Sequence, residues 1–436
     1  MTTPLPTFAL IGAGNRGADV YADFLLRHPG RGRLVAVAEP DPDRRERVAA
    51  AHDVPPERRF PDGEALLAQA RLADALIVAT PDARHVESAV AGIRRGYHLL
   101  LEKPMAPDAA GVARIAAAAK RHGPSVTVAH VLRYTPFFRT IKRLLDAGRI
   151  GRLIDVDHAE HIGFWHFAHS YVRGNWRREE SASPMILAKA CHDLDLLRWL
   201  VDAPCTSVSS VGGLTHFTAA EAPEGAGERC LACDVEERCP YSARRIYLER
   251  FGDTDGWPIS VLTTDASVEG RLRALRTGPY GRCVYRCDND VADHQVVALS
   301  FDNAVTASLS VNAFSEANTR TIRLSGTHGE LAGTFESGRL EWRDFVTGRH
   351  EVVALHDAAA GDAPAEAAGD RHGGGDDGLM ADLTSLLAAT RAGGKPSAMA
   401  TSWEASLESH AMAFAAEEAR RQGTVVSVPR MLAALG

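Results

Sequence analysis

Thr7-Phe8-Ala9-Leu10-Ile11-Gly12-Ala13-Gly14-Asn15-Arg16-Gly17 is the stretch on which the reading of this chain turns. Five apolar residues predict a buried strand. They run straight into G-x-G-x-x-G, after which Val20, Phe24 and Leu25 mark one face of a helix that stops at His28-Pro29-Gly30. Strand, glycine turn and helix in this order bring backbone N–H groups to a pyrophosphate at a helix N-terminus. Gly12 permits the tight turn, Gly14 lets the phosphates approach, and Gly17 lets helix and strand pack closely. The next apolar run, residues 34–38, ends in Glu39, an acid suited to the adenosine ribose hydroxyls and repulsive to a 2′-phosphate. NAD is therefore expected rather than NADP, with Arg44 and Arg45 close by as the opposing signal.

The alternation continues through apolar runs at 75–79, 97–101 and 125–129, separated by helical patterns at 85–95 and 109–122. Repeated strand–helix units imply an α/β fold with a parallel, doubly wound sheet. We expect an NAD(P)-binding Rossmann domain over residues 1–124. Residues 125–436 then form a substrate-binding and oligomerisation domain, with a Cys-rich insert at about 221–290. Glu102-Lys103-Pro104 follows the run 97–101, so Lys103 sits at a strand's C-terminal end, where open α/β sheets keep their ligands. The chain has five lysines against forty-four arginines. A lysine at such a place offers what a guanidinium cannot, a tunable amine able to hand over a proton.

The net charge of −7 argues against nucleic acid or an anionic membrane as the main partner. No apolar stretch approaches the roughly 20 residues of a membrane helix, and residues 1–6 carry no secretory signal. A cytoplasmic protein is expected, with its seven cysteines as thiols or metal ligands rather than disulfides.

The order and spacing of the motifs match a family. The chain resembles the Gfo/Idh/MocA oxidoreductases through Gly12 to Gly17, Thr80-Pro81 with His85, Glu102-Lys103-Pro104, His130 with Arg133-Tyr134 and Pro136, and Cys191-His192-Asp193-Leu194-Asp195. The resemblance implies an N-terminal NAD(P) domain and a C-terminal α/β domain with a large, mainly antiparallel open sheet, often used for dimer or tetramer contacts. It also implies a sugar, polyol or related carbohydrate substrate between nicotinamide and sheet. The cofactor contacts it implies are Gly12, Gly14, Asn15, Arg16, Gly17, Glu39, Thr80, Pro81, His85, Glu102 and Lys103. Lys103 would lie at the reacting carbon, and His192 would belong to the catalytic group. The chain departs from the family at Ala188, where many members carry an Asp four residues before the histidine.

Residues 183–200 read as one amphipathic helix, with Lys189, His192 and Asp193 within about one turn. A histidine takes a proton near neutral pH, which suits alcohol oxidation. The proton acceptor is then His192 or Lys103, with Lys189 or Asp193 rebuilding the missing carboxylate's role. Residues 158–178 mix aromatic and polar side chains, as sugar sites do, and His130, Tyr134, Trp165, His169, Arg173 and Trp176 are candidate substrate contacts. His372 lies in a glycine-rich loop that either closes over substrate or hinges after an Ala/Gly/Asp-rich, mobile-looking stretch at 358–370.

Cys230, Cys233 and Cys239 form C-x2-C-x5-C, with Cys283 and Cys287 further on. Two thiolates on one tight turn suit tetrahedral zinc, with the fourth ligand undecided between the distal cysteines. An iron–sulfur cluster would use the same ligands, and unligated thiols are the plain alternative. Three functional readings stand: an NAD-dependent sugar or polyol dehydrogenase; a glycoside hydrolase that uses NAD for transient oxidation and elimination; and an NAD-sensing regulator.

Overall fold

The computed structural model describes residues 5–355, 372–394 and 399–435. The stretch 358–370, expected to be a mobile insertion, lies outside them. The first sheet contains β1 (Thr7–Ile11), β2 (Arg33–Ala38), β3 (Arg59–Phe60), β4 (Ala75–Val78), β5 (His98–Leu101) and β6 (Val126–Val128). Its order is β3-β2-β1-β4-β5-β6, and every neighbouring pair is parallel. The strands are near-continuous apolar runs because helices cover both faces. β6 takes the sheet a few residues past the boundary expected at 124.

The second sheet contains β7 (Leu153–Gly163), β8 (Cys205–Gly213), β9 (His294–Phe301), β10 (Thr306–Ser315), β11 (Thr319–Gly326), β12 (Gly329–Thr334), β13 (Arg339–Asp344), β14 (His350–Val352) and β15 (Val426–Ser427). Its order is β14-β13-β12-β11-β7-β10-β9-β8-β15. Only β7 and β10 pair in parallel, so the sheet is mainly antiparallel, as expected. β9 alternates buried and exposed residues, the pattern of a sheet with one face open.

The chain does not keep the two units apart. Helix Gly375–Arg391, late in the sequence, buries Leu379, Met380, Leu383 and Leu387 in the cluster that also holds Phe8, Leu10, Tyr21 and Leu34. Thr401 O accepts the Val128 N–H at 2.8 Å, at the end of the first sheet. These crossings tie the late part of the chain to the first sheet.

Candidate active site

The glycine turn is tight on one side and open on the other. Gly12 has φ 93°, and a Cβ there would stand 2.5 Å from Ala79 O. A Cβ on Gly17 would stand 1.9 Å from Gly12 O, whereas at Gly14 the space is open. An incoming pyrophosphate meets room at Gly14 and the first N–H groups of the helical stretch 15–27. Glu39, at the end of β2, accepts from the Ala13 N–H at 2.7 Å and the Asp41 N–H at 3.0 Å. Thr80, just past β4, has a buried hydroxyl with no partner among the described residues. This open cradle and orphaned hydroxyl fit NAD, with Gly12, Gly14, Gly17, Glu39 and Thr80 as the residues to hold it.

Three expected cofactor contacts are otherwise engaged. His85 meets Thr80 O at 2.8 Å and Pro104 O at 2.7 Å, so neither ring nitrogen is left over and the residue straps two loops together. Arg16 turns to Glu102 at 2.6 Å, to Asp376 at 2.6 and 3.1 Å, and to the Tyr21 hydroxyl at 2.7 Å. Asn15 Nδ2 reaches Asp19 at 3.4 Å. Pro81 precedes the single turn Asp82–Arg84.

Burial pushes Glu102 up, but Arg16 and Lys103 more than reverse this and leave its carboxyl below the usual range. Glu102 therefore stays ionised beside Lys103, whose own N–H it accepts at 3.0 Å. Lys103 Nζ crosses to the second domain and donates to Ala188 O at 2.8 Å.

That carbonyl is free because the expected helix over 183–200 is broken. It consists of Met185–Ala188 and Cys191–Val201, with Lys189 and Ala190 between them. In a continuous helix Ala188 O would accept from the His192 N–H; here it takes the Lys103 ammonium. Periodicity could not reveal the break, because apolar residues recur at helical spacing on both sides of it.

His192 is 4% exposed and its Nδ1 has no partner among the described residues. Burial, then the positive charge of Lys103, holds its pKa well below the ordinary value. Its imidazole is thus neutral at neutral pH and able to accept a proton. The His130 ring lies edge-on to it at 5.8 Å and the His372 ring at 6.0 Å. His130 is likewise held well below its ordinary pKa, by burial and then by Arg133 and Lys103.

Lys189 and Asp193 belong to a buried ion network that the sequence did not disclose. Lys189 Nζ lies 3.0 Å from Glu160, and Arg320 bridges Glu160 at 2.6 Å and Asp193 at 2.9 Å. Asp193 also pairs with His158 Nε2 at 2.8 Å. Burial would raise Asp193, but Arg320 and His158 hold it far below the usual carboxylate range. Both contacts fall on Oδ1, while Oδ2 is buried with no partner among the described residues, so Asp193 is a fully buried anion anchored through one oxygen. Burial pulls Lys189 below its usual value, and Glu160 offsets this only in part. Glu160 and His158 alternate with Val156 and Ile162 on the buried face of β7. That period of two is the one signal that could have found them.

The substrate candidates divide. Trp176 Nε1 reaches the Asp82 carboxylate at 3.2 and 3.3 Å and so ties the second domain to the loop after β4. His372 pairs with Asp376 at 2.9 Å and stays partly exposed beside His192. Tyr134, His169 and Arg173 are engaged by other side chains or carbonyls, while Trp165 Nε1 and both His130 nitrogens are buried with no partner among the described residues. Tyr134 bonds Thr401 at 3.0 Å, and burial pushes its hydroxyl up to about 12. Trp165 packs on Phe251 and Trp257, and His169 stacks on Tyr280 with its Nδ1 2.9 Å from the Tyr247 hydroxyl. Arg173 points away, into the cysteine insert. His166, inside the segment 158–178 but not among the candidates, meets Asn318 Oδ1 at 2.8 Å, and burial, then the charge of Lys189, holds its pKa well below the ordinary value. In the insert, among the described residues, no group of three or more His, Cys, Asp or Glu side chains is arranged as a ready metal-binding set.

A doubly wound sheet with an open glycine cradle, joined to a domain with a large mainly antiparallel sheet whose helix Cys191–Val201 carries a buried histidine just past the carbonyl that a strand-end lysine meets, defines an NAD-binding α/β oxidoreductase. Residues 7–130 match the oxidoreductase-family NAD-binding Rossmann fold, and residues 142–428 match the family's C-terminal alpha/beta domain. The chain belongs to the Gfo/Idh/MocA oxidoreductase family. It is 33% identical over 207 residues to inositol 2-dehydrogenase 4 from Saccharopolyspora erythraea, covering 46% of this chain and 55% of that protein. The chain spans about half the length of the inositol 2-dehydrogenases it matches at this level, 52% to 58%. Levoglucosan dehydrogenase, solved with NADH and levoglucosan, shares the fold at TM-score 0.70 and 18% identity over 97% of this chain and 99% of that one. The WlbA dehydrogenase from Bordetella pertussis, solved with NADH and UDP-GlcNAcA, does so at TM-score 0.66 and 19% identity over 98% and 99%.

Proposed function

We propose that this chain is an NAD-dependent dehydrogenase acting on a hydroxyl-bearing carbon of a sugar or polyol. The observation that carries the reading is the approach of Lys103 to the broken helix that bears His192, across the junction of the two domains. Gly12, Gly14 and Gly17 hold the pyrophosphate and Glu39 the ribose, favouring NAD over NADP. Bound NAD supplies the hydride acceptor. Neutral His192 takes the hydroxyl proton. The Lys103 ammonium stabilises the developing alkoxide, and Glu102 keeps that charge beside the reacting atoms. Lys189, tethered to Glu160, stands where it can bond a second hydroxyl, and Trp176 and His372 wall the sugar.

The names of the relatives point the same way: inositol 2-dehydrogenase acts on a polyol, and levoglucosan dehydrogenase on an anhydrosugar. The test is a panel of inositols, aldoses and glycosides with NAD. One NADH formed per molecule oxidised is the expected result. Release of aglycone with no net NADH would replace this reading with the NAD-dependent glycoside hydrolase.

A homodimer or homotetramer through the open sheet accompanies the proposal. It is supported by Val211 and Val296, exposed on adjacent strands at 69% and 46%. Sedimentation of the purified chain as a monomer would refute it. A cytoplasmic location is consistent with seven cysteines and no disulfide. Among the described residues no helix is long and apolar enough to cross a membrane.

A further inference from the structure

The cysteines of the insert play no part in that chemistry, yet they converge. Cys230, Cys233, Cys239 and Cys283 line a single void of about 10 Å3, together with Arg173, Tyr285 and Glu236, whose carboxylate is taken by the Ser242 hydroxyl and lies near Arg244 rather than pairing with Arg173. The void has room for one atom-sized occupant. The backbone brings Cys283 there: residues 229 and 282 form an antiparallel bridge, and the Cys283 N–H donates to Glu228 O at 2.9 Å. Cys287 does not line the void, and its thiol faces Cys283 O at 3.3 Å. As the side chains stand, the sulfurs edge the void without closing on a common centre.

A second observation is electrostatic. Arg173 is 1% exposed, and its guanidinium borders the same void. Nε donates to Arg282 O and Nη2 to Tyr241 O, each at 2.8 Å, and Nη2 also reaches Cys230 Sγ at 3.4 Å. Nη1 is buried and has no partner among the described residues. No carboxylate in the described residues pairs with this cation. A guanidinium does not lose its proton in a protein, and a buried charge without a counter-charge is strongly unfavourable. Neutral thiols do not supply that counter-charge. Thiolates gathered on a divalent ion do, because four of them outweigh the ion's charge and leave the centre anionic. The Gly227 N–H, aimed at Cys233 Sγ at 3.4 Å, is a second donor suited to a sulfur anion.

We propose that Cys230, Cys233, Cys239 and Cys283 bind one soft metal centre, with zinc as the ion and Arg173 as its buried counter-cation. Binding forms four metal–sulfur bonds and releases the thiol protons to solvent; no electrons move. The ion draws the four side chains onto the void. The centre clips the insert to the segment that runs from Arg173 to Trp176, and so steadies the wall that Trp176 ties to Asp82.

The test is metal analysis of the full chain, purified without chelator both in air and anaerobically, with acid-labile sulfide measured in parallel. About one zinc per chain is expected, retained in Cys287→Ser and lost in Cys230→Ser and Cys283→Ser. About four irons with matching sulfide would overturn the proposal, because the void has room for one ion and not for a cluster. Arg173→Met should weaken zinc retention against a competing chelator by roughly tenfold. Metal far below stoichiometry in both preparations overturns the proposal. So does metal that survives Cys283→Ser but not Cys287→Ser. If the serine variants fail to fold, cobalt(II) exchanged into the unaltered protein decides. Intense sulfur-to-cobalt charge-transfer bands are expected, and bound cobalt without them sinks the idea.

Discussion

Two buried ion networks flank Lys103, and they are built differently. On the cofactor side, Arg16 holds Glu102 and Asp376 with its own side chain 26% exposed. On the sheet side, Arg320 holds Glu160 and Asp193 at 7% exposure, with both carboxylates fully buried. The chemistry is the same, guanidinium on paired carboxylates that are buried in both cases (Glu102 at 7% and Asp376 at 0%), but water reaches the guanidinium of one network and is excluded from that of the other. Charges in low dielectric depend wholly on one another, whereas a partly wet pair is screened. The sheet-side network is therefore the more tightly constrained of the two.

The largest effect expected is at the lysine between them. Lys103→Ala should lower turnover by roughly a thousandfold while leaving folding and NAD affinity within a few-fold, measured by steady-state rates and cofactor titration. Equal loss of NAD binding would mean that Lys103 serves the cofactor rather than the reaction. Next, Arg320→Ala strands two dry carboxylates and should cost about 3–5 kcal/mol in urea unfolding. Arg16→Ala should cost less, about 2 kcal/mol, because its 26% exposed side chain leaves a gap that water can enter. Equal costs at these two arginines would erase the contrast drawn between the networks.

The smallest effect is one of pH. His410 accepts the Met105 N–H at 2.9 Å and bonds Ser406 O at 2.8 Å, a pattern only the neutral ring satisfies. Burial, then His130, pulls its pKa down to about 3. The unfolded chain therefore takes up this proton near pH 6.5 and the folded one does not. Stability is full above that pH and falls as pH drops from about 6.5 toward 3, by at most about 1.4 kcal/mol per unit for this one group. His410→Gln should remove that share of the acid-side slope, as read from unfolding at pH 6.5 and 5.5. An unchanged slope would show that His410 is not a group that resists protonation.

The first sheet was legible because its determinants are short-range. Residues 7–11, 34–38, 75–79, 97–101 and 125–129 were all read as strands, and all lie in the sheet within a residue of that reading. Only the two-residue β3 was missed, being too short to show a period. The second sheet was read in part. Its central strand β7 passed as a polar-aromatic segment, because His158 and Glu160 occupy its buried face and hide the hydrophobic alternation. The same blindness hid the partner of Asp193, Arg320, which lies 127 residues away. The partner of Arg16, read as a cofactor contact, was hidden for the same reason: Asp376 stands 360 residues from it in the chain.

By itself the sequence determined the glycine cradle, the acid after β2, the lysine at a strand end and the histidine on the second domain's helix. Each follows from contacts within a few residues or from a repeating period. Only the tertiary structure decided that the helix before His192 breaks to offer Lys103 a carbonyl, that His192 is neutral, and that Asp193 is held by Arg320. Those outcomes depend on which charges are brought together and how much water is removed from around them, and packing across the whole chain sets both.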